Sequence, residues 1–120
     1  METRQFSDIN ERLDYIEFRQ ELLLDADDVS RILLAYKITR KEYSNIMNLM
    51  DVYRNKIDAR QPVYRADFES EIYRIAPIVN GDYHFCEQLT LAFYEERRWE
   101  EVFISLYGNE KKFEYLKGKK

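Results

Sequence analysis

The chain has 120 residues, 45% of them apolar and 35% charged, with a net charge of −4. That is one domain of ordinary size with enough apolar mass for a core, which excludes disorder throughout. Three Gly and two Pro are too few for a turn-rich β sandwich or a Gly-rich phosphate loop, and a single Cys excludes an intrachain disulfide framework.

No apolar run approaches the roughly 20 residues needed to cross a bilayer. The opening stretch METRQFSDINER carries no apolar signal core. A cytoplasmic protein without a membrane partner is therefore expected. Charge is segregated: residues 1–30 carry nine acids against three bases, and residues 31–60 seven bases against three acids. That pattern points to complementarity within the chain or between subunits, and gives only a weak nucleic-acid footprint.

Apolar spacing is helical almost everywhere. In SDINERLDYIEFRQELLLD, Ile9, Leu13, Ile16 and Leu23 follow a 4-3 rhythm with Gln20 at the missing step, and Asp8 with Glu11 forms a capping-box pattern. This predicts a helix over about 8–25. Its seam is what a short coiled-coil contact would look like, and equally what an intramolecular bundle requires. Asp25, Asp27 and Asp28 read as a turn, with Asp27 or Asp28 capping the next helix, whose stripe is Val29, Ile32, Leu33 and Tyr36.

Thr39 and Glu42 form a second capping box. They start a helix that runs through Ile46, Met50 and Tyr53 until Pro62 breaks the pattern. Residues 63–76 could alternate as a strand, but Asp67, Glu69, Ser70 and Glu71 favour a helix. After the VNGD turn, two helices are predicted over about 82–96 and 98–107, with Gly108 placed to close the last. The expectation is an all-α, compact multihelical bundle of five or six short-to-medium helices. It forms one domain over 1–108, with a basic tail at 109–120.

Candidate chemistry is sparse. His84 and Cys86 stand two apart, about 200° around a helix, and cannot face each other. Cys86 instead shares a stripe with Leu89 and Phe93 and reads as core. No Glu-x-x-His pair, catalytic triad or phosphate loop is present, so neither an enzyme nor a cofactor or metal is expected. The ten Tyr and eleven Arg are types enriched at protein interfaces.

Three stretches, ERLDYIE, ITRKEYSNIMNLMDVYRNKI and LAFYEERRWEEVF, together resemble the YhaI-like family of small helical bacterial proteins. The resemblance spans about residues 8–108. It implies a multihelical, oligomer-forming fold and carries over no site residues.

The reading is a non-enzymatic interaction module of adaptor or inhibitor type, binding an unidentified protein partner and also itself as a homo-oligomer. Expected contacts are the acidic Asp8, Glu11, Asp14 and Glu17, and the group Tyr94, Arg97, Arg98 and Trp99, with Trp99 equally placed as core. The alternative is a helix-turn-helix-like DNA-binding regulator with Arg40 and Lys41 opening its second helix. Nucleic acid is the less expected partner.

Overall fold

A computed structural model describes residues 4–110 and 112. Among them are six α-helices and no strand. They are α1 (Ile9–Asp25), α2 (Asp28–Ala35), α3 (Arg40–Asp58), α4 (Arg65–Ile75), α5 (Tyr83–Glu95) and α6 (Glu100–Tyr107), with one 3₁₀ turn at Pro77–Val79. The ambiguous segment 63–76 is helical over Arg65–Ile75, and the all-α expectation holds.

Side chains satisfy the helix starts where the sequence signals were strongest. The Thr39 hydroxyl accepts from the Glu42 backbone N–H while the Glu42 carboxylate accepts from Thr39 N–H, a complete capping box. The Asp27 carboxylate accepts from Ser30 N–H at 2.7 Å, settling which aspartate caps α2. Asp8 caps α1 through Asn10 N–H, one residue short of the Glu11 position that a capping box would use.

The helix ends follow a less obvious rule. Lys37, Arg60 and Arg97 all sit at left-handed φ near +60°. Each is followed by a backbone N–H that reaches back to the last turn: Ile38 to Leu33 O, Gln61 to Lys56 O and Arg98 to Phe93 O. These are Schellman closures, in which Gly is the usual residue. Gly108 closes α6 differently, in the right-handed region, where an added Cβ would meet the Ile104 carbonyl oxygen.

Helix α5 is the hub. It packs against α2, α4 and α6, while α3 packs on α6 and α4, and α1 lies across α2 and α3. Phe85, Cys86, Leu89, Ala92 and Phe93 of α5 are buried together with Ile46, Met50, Phe68, Ile72, Val102 and Phe103. Aromatic edges lock the layers: Tyr53 on Phe68 at 5.1 Å and Phe93 on Trp99 at 4.9 Å between ring centroids. Most described tyrosines (15, 36, 43, 73, 94) lie half-buried at the core margin, as amphipathic rings do, while Tyr53 and Tyr107 are buried outright.

The expected basic tail falls mostly outside the described residues. Its described part is tied back to the body, with Glu110 paired to Arg65 and the Lys112 ammonium 2.6 Å from the buried Glu87.

Candidate interaction surface

Helix α1 is held to the body by the side opposite its predicted stripe. Phe18 and Leu22 are its buried residues, at 5% and 4% exposure. Ile9, Leu13, Ile16, Leu23 and Leu24 point outward, with exposures running from 45% at Ile16 to 86% at Leu24. At about 100° per residue these five and Gln20 fall within one strip roughly 100° wide, centred half a turn from Phe18. Of the eight large hydrophobic side chains exposed among the described residues, five belong to this strip. Singly exposed apolar residues are ordinary, but a contiguous strip along a whole helix is a candidate contact surface.

The charge segregation of the sequence resolves beside this strip. The Arg40 guanidinium, at the first position of α3, meets three α1 carboxylates: Asp14 at 3.0 Å, Glu21 at 2.7 Å and Glu17 at 3.8 Å. Its cation also lies 5.0 Å from the Phe18 ring centroid. The hydrogen bond from Arg40 holds the Glu21 carboxyl below its ordinary range. Arg4 closes a similar link, forking onto Glu42 at 3.2 Å. Arg40 of the basic second segment thus offsets part of the negative charge of the first within one chain.

This changes the standing of the expected contact residues. Asp8 is engaged in capping, and Asp14 and Glu17 face Arg40; Glu11 is exposed. Arg40, which the DNA-binding alternative needs at the start of α3, is occupied by carboxylates. Helix α2 also packs mainly on α1 and α5, whereas α3 packs mainly on α6 and α4. A helix-turn-helix packs its two helices on each other.

The second expected group is split. Trp99 is core: it is 8% exposed, and its indole N–H donates to Asp51 at 2.8 Å. It opens α6 at φ +51°, a left-handed conformation rare for so bulky a residue. Arg98 lies over the Phe93 and Trp99 rings and donates to Glu96 at 3.0 Å. Glu96 Oε2 and Arg98 Nε are buried without a hydrogen-bond partner among the described residues, yet they belong to one self-neutralising pair. Tyr94 packs on Phe103, and of this group only Arg97 is exposed.

Cys86 is fully buried. Burial, and then the Glu69 charge, push its thiol up to about 12, so it is not a nucleophile near neutral pH. His84 is exposed beside Tyr83 rather than packed. Among the described residues, no group of three or more His, Cys, Asp or Glu is placed to hold a metal, and no helix is long and apolar enough to cross a membrane.

An open groove of about 680 Å³ runs beside α1 between Asn10, Glu11, Asp14, Lys41 and Glu42. Its lining mixes both signs of charge.

Comparison with protein-family models, with curated proteins and with solved structures finds no match to the chain.

Proposed function

We propose that the protein works as a non-enzymatic interaction module of adaptor or inhibitor type, and that its contact surface is the outward strip of α1. The observation that carries this reading is the line of Ile9, Leu13, Ile16, Leu23 and Leu24 in solvent on a helix already anchored by Phe18 and Leu22. An apolar strip that contributes nothing to its own core is retained at a cost in solubility, and binding is the use that offsets this cost. The acidic residues Asp14 and Glu21 act as supports that fix α1 on α3 through Arg40, while Glu17, farther from Arg40 at 3.8 Å, stays open to a partner. The YhaI-like resemblance agrees with a small helical, assembling protein and adds no site residue.

The test is affinity capture of the tagged protein from host lysate beside the variant Ile16→Glu, with and without nuclease. A protein captured by the wild type, insensitive to nuclease and lost by the variant, supports the reading. Capture that vanishes with nuclease, or that the variant leaves intact, rejects it.

A further inference from the structure

In heptad terms the α1 strip places Ile9, Ile16 and Leu23 at d, and Leu13 and Gln20 at a. The flanks are then fixed. Arg12 and Arg19 occupy g, while Asn10, Glu17 and Leu24 occupy e. One border of the strip is basic and the other carries an acid and an apolar residue. A surface so divided is complementary to itself.

Orientation decides which charges meet. In a parallel pair, g of one helix faces the following e of its neighbour, so Arg12 meets Glu17 of a second copy, and by symmetry the reverse. In an antiparallel pair g faces g, which sets Arg12 against Arg19. The Arg19 guanidinium donates to the Leu34 carbonyl at 3.3 Å and the Tyr15 hydroxyl at 3.2 Å, which fixes this charge at the g border. Glu17 is 72% exposed at its side chain and only 3.8 Å from Arg40, so it can be shared with a neighbour. Gln20 would face its own equivalent at one a layer, the kind of polar layer that fixes register at some cost in stability.

We infer that the chain self-associates through α1 as a short parallel, in-register helical bundle, with Arg12 of each copy paired to Glu17 of the next. The inference rests on the reading of α1 as the contact surface and names its occupant as a second copy of this chain. Leu at a with Ile at d, widened by Leu24 at e, is a side-chain shape that favours three or four strands over two. From Ile9 to Leu23 the seam spans about 21 Å, so association is concentration-dependent rather than obligate.

Two measurements test this on the full chain. Sedimentation of the wild type across a wide concentration range is expected to show a mass above the 14.7 kDa of one chain. The Leu13→Glu and Ile16→Glu variants should sediment as monomers with unchanged helical circular dichroism, since both side chains already face solvent. Glu17→Arg should weaken association, and Arg12→Glu combined with Glu17→Arg should restore it.

Orientation is read from Gln20→Cys under mild oxidation. The parallel arrangement brings the two introduced thiols together and gives a covalent dimer. The antiparallel one, centred on Ile16, leaves them about 12 Å apart along the axis. The native Cys86 is fully buried and does not compete. A wild type that stays monomeric, or an oligomer that Gln20→Cys fails to cross-link, overturns the inference. A monomeric wild type whose captured partner is nonetheless lost on Ile16→Glu would overturn self-association while leaving the interaction-module reading in place.

Discussion

Helices α1 and α5 are both amphipathic, and the molecule treats them in opposite ways. Phe85, Cys86 and Phe93 of α5 have no exposure at all, whereas Ile9, Leu13 and Leu23 of α1 are each more than half exposed. The difference is one of position. Helix α5 is surrounded by α2, α4 and α6 and buries Phe85, Cys86, Leu89, Ala92 and Phe93 in the core, leaving only the first of its apolar side chains, Tyr83, largely in solvent. Helix α1 lies on the outside, and only two of its residues, Phe18 and Leu22, are buried. A helical stripe in a sequence therefore shows that an apolar face exists, and not which surface covers it.

The comparison can be broken most completely at alkaline pH. Tyr73 and Cys86 are pushed up to about 12 by burial, from ordinary values of 10.0 and 9.0, and Tyr107 is raised by burial and by its hydrogen bond to Glu69. The folded state holds these groups protonated more tightly than the unfolded chain does. Their contribution is therefore fully present below about pH 9 and lost as pH rises towards 12. Circular dichroism and tyrosinate absorbance followed together should show one cooperative unfolding in that window. Titration of the tyrosines with retained helicity would contradict it.

Substitution separates the two helices next. Phe93→Ala should cost about 3–5 kcal/mol in denaturant unfolding, because it opens a void between Tyr43 and Trp99. Ile16→Glu should leave the stability of the monomer within about 0.5 kcal/mol. An equal loss from both would mean that the α1 strip is part of the fold after all. Trp99→Phe, which keeps a ring but leaves the Asp51 carboxylate without its indole donor, should cost about 1.5–3 kcal/mol. The smallest effect has the opposite sign. Arg60→Gly should raise stability by about 0.5–1 kcal/mol, by relieving a left-handed residue on an exposed helix end, read as an increase in melting temperature.

The sequence carried some of this plainly and hid the rest. The Thr39 and Glu42 capping box was legible because both partners lie within one turn. The helical nature of 63–76 was legible because its acids fit no buried strand. The left-handed closures at Lys37, Arg60 and Arg97 were not, since long cations stand where Gly would have announced them. The outward direction of the α1 strip was hidden for a different reason. It depends on Phe18 and Leu22 finding partners on α2 and α3, which periodicity within α1 cannot report. The one usable hint was that Phe18, with Leu22 beside it, lies about half a turn from Ile9, Leu13, Ile16 and Leu23.

The burial of Val102, Phe103, Leu106 and Tyr107 also bears on how the chain is made. The α1–α2 pair forms from neighbouring residues and can assemble as soon as it is synthesised. The slot that α6 fills between α3 and α5 stays open until translation reaches Tyr107. At 5–20 residues per second that is roughly 4–14 s after residue 35 is added. For that interval the nascent chain presents two sticky surfaces, the unfilled slot and the α1 strip.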